Sequence, residues 1–275
     1  MNPTIGVFDS GFGGLTVLRA LLRRLPSAQF AFIGDTARLP YGSKSRRTIA
    51  RYAAESAQFL VQKQQAEFLV IACNTASALA LDSIQAAVPI PVLGVIEPGA
   101  ASARAASKTG DVLVIATDAT VQSHAYAAAC EAQGLRALEK ACPLLVPLVE
   151  EGWTNHPVTS EIIRIYLAEL LEEAHASGLN PDTLVLGCTH YPLLRPLLEA
   201  AVPPGIRVID SAEATAERVA QLFHQQNGVS AAEETAVAAP EVRCFATDSV
   251  EKFERLGSRF LGRPTGTVSL VDLGG

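Results

Sequence analysis

No apolar run in this sequence reaches the roughly 18 residues that a membrane span requires. At the amino end, Asp9 and Ser10 break the first apolar run and no basic segment precedes it. Neither a membrane anchor nor a secretory leader is therefore expected. Cysteine is scarce: five residues, an odd number, with no Cys-x-x-Cys pair. That argues against a disulfide-stapled framework, and against a metal site, which would need denser ligand spacing. Positive charge is in deficit, with a net charge of −6 and a pI near 5.4. Nucleic acid is thus not expected as the main ligand. The short basic clusters Arg23-Arg24 and Lys44-Ser45-Arg46-Arg47 read as solvated helix faces. Nucleotide fingerprints are missing too: there is neither Gly-x-Gly-x-x-Gly nor Gly-Lys-Ser/Thr. Lys44, Lys63, Lys108, Lys140 and Lys252 all sit in polar or helical settings, so no Schiff-base lysine for pyridoxal phosphate is evident. A soluble, cytoplasmic protein with reduced thiols is expected.

What is there suits an enzyme core. The 275 residues fit one large domain or two modest ones, and 49% apolar against 18% charged residues leaves ample material to bury. Short β-branched runs at 4–8, 30–34, 68–72, 92–95, 111–116, 183–187, 207–209 and 242–246 read as strands. Helical patterns at 15–25, 46–63, 159–176 and 215–226 fall between them, so the fold class is α/β. The Ala/Ser/Gly-rich stretch 99–110 reads as a join between two units, and the polar, Ala-rich 227–241 as a surface loop.

Two stretches look like copies. Phe68-Leu69-Val70-Ile71-Ala72-Cys73-Asn74-Thr75 and Thr183-Leu184-Val185-Leu186-Gly187-Cys188-Thr189-His190 each run from an apolar strand through a small residue to a cysteine, then to polar side chains. In an open α/β sheet this marks the carboxyl end of a buried strand, where ligands bind. Two thiols in equivalent positions of a duplicated fold suit proton removal from one face of a carbon and return to the other. A thiol at a helix start is expected to gain thiolate character from the helix dipole and amides. His190, two residues past Cys188, can be its proton partner or polarise a substrate group. Cys130, Cys142 and Cys244 stand in apolar or helical contexts and read as inert.

Other polar loops accompany these. Asp9-Ser10-Gly11-Phe12-Gly13-Gly14 lies between a strand and a helix, where glycines let backbone approach a ligand and helix amides attract an anion; a plain tight turn is the other reading. Asp9 favours the former, since a buried carboxylate is costly without a partner or a task. Pro40-Tyr41-Gly42 could present backbone donors or be a plain loop. Thr117 and Thr120 could hold carboxylate oxygens or cap the following helix.

Taken in order, Asp9-Ser10-Gly11-x-Gly13-Gly14, Pro40-Tyr41-Gly42, Ala72-Cys73-Asn74-Thr75-Ala76 and Gly187-Cys188-Thr189-His190-Tyr191-Pro192 resemble bacterial glutamate racemase. The resemblance runs from about residue 5 to residue 261, nearly the whole chain. It implies a cofactor-independent enzyme of the aspartate/glutamate racemase superfamily, free of metal, that supplies D-glutamate for peptidoglycan and cell-wall biogenesis. It also implies two similar Rossmann-like domains with mainly parallel sheets and the active site between them, one formed by 1–97 plus 210–265 and the other by 98–209. By residue matching, Cys73 and Cys188 are the acid/base pair. Asp9 assists Cys73, which deprotonates the D-isomer, and His190 assists Cys188, which deprotonates the L-isomer. Glu150 matches a further carboxylate near the substrate, with Glu151 leaving a one-residue ambiguity. Asp9, Ser10, Pro40, Tyr41, Gly42, Asn74, Thr75, Thr117, Thr120, Thr189 and His190 then form the glutamate-binding set. A homodimer is admitted, its geometry open. The rival readings are an aspartate racemase of the same superfamily and a non-catalytic amino-acid-binding protein, the latter with no reason to keep both thiols.

Overall fold

The structure, a computed structural model, describes residues 3–227 and 240–274. Its strands run in chain order β1 (Thr4–Asp9), β2 (Gln29–Gly34), β3 (Phe68–Ile71), β4 (Val92–Gly94), β5 (Asp111–Ala116), β6 (Arg136–Ala141), β7 (Thr183–Gly187), β8 (Arg207–Asp210), β9 (Val242–Ala246) and β10 (Val268–Leu270). The chain divides into two units, Met1–Val95 with Ala212–Gly275, and Ile96–Ser211. Each holds one parallel sheet, in the order β10-β9-β2-β1-β3-β4 in the first and β6-β5-β7-β8 in the second. The fold is thus α/β with mainly parallel sheets.

Setting β9 and β10 aside, the first sheet's order β2-β1-β3-β4 repeats as β6-β5-β7-β8. Strand β1 is equivalent to β5, and β3 to β7. In each unit the chain leaves the central strand for one side, then returns to pair on the other. The strand order therefore reverses between β1 and β3, and again between β5 and β7. Such a reversal splays the connecting loops apart at the strands' carboxyl ends and leaves a crevice there. Cys73 and Cys188 both stand just beyond the second strand of such a pair.

Every residue of β1, β3, β5 and β7 is buried. This is what helices on both faces of a parallel sheet demand, and why the interiors of these strands read as apolar runs. Edge strands differ. Arg136–Ala141, with sequence RALEKA, is largely half-exposed and lacks an apolar run; it is held by register with Asp111–Ala116 on one side only.

Helix Arg46–Gln64 starts at Ser45, whose side chain accepts from the Thr48 amide, and stops at Gln65 in the left-handed region. The stretch expected as a join instead continues helix Ile96–Ala106, so only 107–110 turn. Most of the loop expected at 227–241 lies outside the described residues. Among the described residues no helix is long and apolar enough to cross a membrane.

Candidate active site

At the first reversal, Asp9 ends β1 and is 1% exposed. Its Oδ2 accepts the Gly11 amide at 2.9 Å, closing the turn into the glycine-rich loop. A Cβ on Gly14 would stand 2.6 Å from the Asp9 Cβ and 2.8 Å from that of Ala72. Only glycine lets this loop pass so close to both strand ends.

Beside it, Cys73 is 5% exposed. Its thiol donates to the Ser10 hydroxyl at 3.4 Å, and its sulfur accepts the Ala76 amide at 3.4 Å. The sulfur thus caps helix Asn74–Leu79, with Asn74 and Thr75 buried in the first turn. The thiolate character expected from that helix start is overturned. Burial, and after it the negative charge of Asp9, push the thiol up to about 12 against the bonds from Ser10 and Ala76. Cys73 therefore rests as a protonated thiol at neutral pH.

The loop after β2 is organised around Asp35, a fully buried carboxylate. It accepts from Nε of Arg38 at 2.8 Å, from the Tyr41 hydroxyl and from the Thr247 hydroxyl at 3.0 Å. Arg38 also pairs with Glu55 and lies 4.2 Å above the Tyr52 ring. Tyr41 is buried with its hydroxyl committed to Asp35, while Pro40 is exposed and Gly42 half-buried. The Tyr41 side chain is thus anchored inward.

At the second reversal, Thr117 follows β5 and its hydroxyl pairs with that of Thr120 at 3.0 Å. Thr117 occupies the cap position of helix Asp118–Ser123 but makes no side-chain cap bond. Cys188, Thr189 and His190, which follow β7, are 6%, 8% and 8% exposed. Nε2 of His190 lies 3.4 Å from a carboxylate oxygen of Glu150. Glu151 is exposed, so Glu150 is the one that reaches the histidine. Burial alone would lower the His190 pKa, but hydrogen bonds to Cys188 and Glu150 outweigh it and lift the imidazole to about 10. His190 is a cation at neutral pH, held by a thiol group and a carboxylate.

Tyr191, fully buried, sets the loop's position. Its hydroxyl lies 3.1 Å from the Ala116 carbonyl and 2.9 Å from that of Cys142, joining the ends of β5 and β6 to the loop after β7. Cys142, Cys130 and Cys244 are buried with their thiols pushed up by desolvation, and serve packing. Among the described residues no group of three or more His, Cys, Asp or Glu side chains is placed to hold a metal ion.

Asp35 is legible in the sequence only as one member of the polar stretch 34–42, although like Asp9 it is an acid at the end of a buried strand. Thr247 gave no signal, because its partners lie more than 200 residues away.

The arrangement can do acid/base chemistry twice over. One unit offers a thiol with a buried carboxylate, the other a thiol with an imidazolium and its carboxylate. The sequence profile of the Asp/Glu/Hydantoin racemase family matches residues 5–219. A curated glutamate racemase of Koribacter versatilis is 53% identical, over 100% of this chain and 99% of that protein. A glutamate racemase isoform from Bacillus anthracis superposes with a TM-score of 0.88 at 38% identity, covering 98% of each chain. One from Francisella tularensis, solved with D-glutamate, superposes at 0.86 with 34% identity, over 99% of this chain and 98% of that one.

Proposed function

The chain belongs to the Asp/Glu racemase family of amino-acid racemases, and we propose that it interconverts L- and D-glutamate by a two-cysteine mechanism with no cofactor. The observation that carries this reading is the pair of cysteines at equivalent strand ends of a duplicated fold, each beside its own charged assistant.

In this mechanism the thiolate of one cysteine takes the α-proton from one face of glutamate. The electron pair left on the α-carbon is delocalised toward the carboxylate, and the thiol of the other cysteine returns a proton to the opposite face. One C–H bond breaks and one forms, one S–H forms and one breaks, and the centre is inverted. The α-proton is a very weak acid, so placement and exclusion of water have to supply much of the rate. Asp9 works with Cys73, and the His190–Glu150 pair with Cys188. The His190 imidazolium stabilises negative charge that develops beside it during proton transfer.

Ser10, Asn74, Thr75, Thr117, Thr120, Thr189 and the backbone of Pro40, Tyr41 and Gly42 supply the hydrogen bonds for the carboxylates and the ammonium group. The related enzyme solved with D-glutamate supports this small-molecule substrate. The product is D-glutamate for peptidoglycan and cell shape, made by a cytoplasmic enzyme.

The test is the fate of the α-hydrogen. Purified protein with L-glutamate in deuterium oxide, and no cofactor added, should yield D-glutamate carrying solvent deuterium. Absence of both inversion and α-exchange would overturn the reading. Inversion that stops after thorough chelation would overturn its metal-free form.

A further inference from the structure

The C-terminal segment adds β9 to the first sheet beside β2, in register Gly34 with Ala246. The next residue, Thr247, reaches the loop that leaves β2. Its amide donates to the Gly34 carbonyl at 3.3 Å. Its hydroxyl donates to Oδ1 of Asp35 at 3.0 Å and accepts the Ala37 amide at 2.9 Å. A threonine hydroxyl has one proton to give, so this group uses its donor and one acceptor site on a single neighbouring loop. Asp35 passes the constraint along the loop, because the same carboxylate holds Arg38 and the Tyr41 hydroxyl. It also touches the strand end itself, since the Asp35 amide donates to the Asp9 carbonyl at 3.0 Å.

We propose that Thr247 is a positioning residue for the reaction, its hydroxyl latching the 35–42 segment so that the Pro40-Tyr41-Gly42 turn is held ready for substrate. This rests on the reading above, in which that turn binds glutamate. The latch is separable from folding. A second tie between the same segments, Thr36 with the backbone of Asp248, does not involve the Thr247 side chain. Arg38 and Tyr41 also remain on Asp35 when the Thr247 hydroxyl is gone. Removing that hydroxyl therefore loosens the substrate-facing loop, and the loss belongs in binding rather than in the chemical step.

The test is steady-state racemisation of both glutamate isomers by the full chain, as wild type, Thr247→Val and Thr247→Ser. Valine keeps the shape and removes both bonds; serine keeps both bonds and removes the methyl. Losing the hydrogen bond to the Asp35 carboxylate, and with it the one from the Ala37 amide, should raise KM about tenfold for Thr247→Val. The two directions should be affected alike, with kcat within about threefold. Thr247→Ser should restore KM to within about twofold of wild type. Should the valine variant fail to fold, as read by thermal melting, Thr247→Ala removes the same hydroxyl and carries the same expectation. An unchanged KM in the variants lacking the hydroxyl overturns the latch, as does a serine variant no better than valine, or a fall in kcat at constant KM. Wild-type protein that exchanges no α-hydrogen overturns the underlying reading instead, so the two failures are distinguished.

Discussion

Nε2 of His190 lies 3.4 Å from the Glu150 carboxylate, and the same imidazole is hydrogen-bonded to Cys188. A buried histidine would ordinarily shed its proton; here two anionic or polarisable partners keep it. Glu150→Gln removes one of them while preserving shape. The His190 titration followed by NMR should then move down from about 10, and racemisation should slow by about tenfold, equivalent to roughly 1.4 kcal/mol of transition-state stabilisation. An unmoved His190 titration in this variant would show that Glu150 does not hold the charge.

The same shift governs stability against pH. In the folded protein His190 titrates near about 10, above its ordinary 6.5. Between those values the folded state binds more protons than the unfolded one, so stability falls as pH rises. The His190 contribution is fully present below pH 6.5 and is lost as pH rises through about 10. Urea unfolding of wild type should show this decline over pH 6.5–10, and His190→Gln should flatten its lower part. Cys73 adds a later decline, between its ordinary 9.0 and about 12, as the buried thiol resists ionisation. A wild-type stability that rises from pH 7 to 9 would contradict the assignment.

Much of this was legible in the sequence because the informative strands are buried on both faces. Runs such as Phe68-Leu69-Val70-Ile71 and Leu184-Val185-Leu186 contain no polar position. Arg136–Ala141 was not legible, since an edge strand with charged residues carries no apolar run. Val268–Leu270 is three residues long and follows a helix, too short for any period to show. For the site, the cysteines announced themselves through duplication. The charge states of Cys73 and His190 did not, because they depend on contacts between distant residues: Asp9 beside Cys73, and Glu150 beside His190. A helix start alone suggested a thiolate at Cys73, whereas burial and the neighbouring carboxylate favour the thiol.

The two thiols should be individually indispensable to inversion. With Cys73→Ala or Cys188→Ala only one proton donor or acceptor remains, and neither direction can be completed. Racemisation should fall by at least about 10²-fold in each variant. Glutamate binding measured by calorimetry should survive, since in the proposed mechanism hydroxyls and amides hold the substrate. Near wild-type racemisation by either variant would sink the two-base mechanism.

The assistants should divide the labour, and the division can be read without disturbing equilibrium. Asp9→Asn removes the charge that, after burial, most raises the Cys73 pKa, so alkylation of Cys73 should reach half its plateau rate at lower pH than in wild type. His190→Asn should leave that profile unmoved, because its contacts are with Cys188 and Glu150. Both variants should racemise more slowly, by roughly the 10²–10⁴-fold that one acid/base partner supplies. The overall constant between enantiomers cannot change, so any asymmetry must lie in individual steps. Where Asp9 is lost, proton transfer at Cys73 becomes the slower step; where His190 is lost, transfer at Cys188 does. Isotope effects on the α-hydrogen should therefore grow in the D-to-L direction for Asp9→Asn and in the L-to-D direction for His190→Asn. The same pattern in both variants would mean that each assistant serves both thiols.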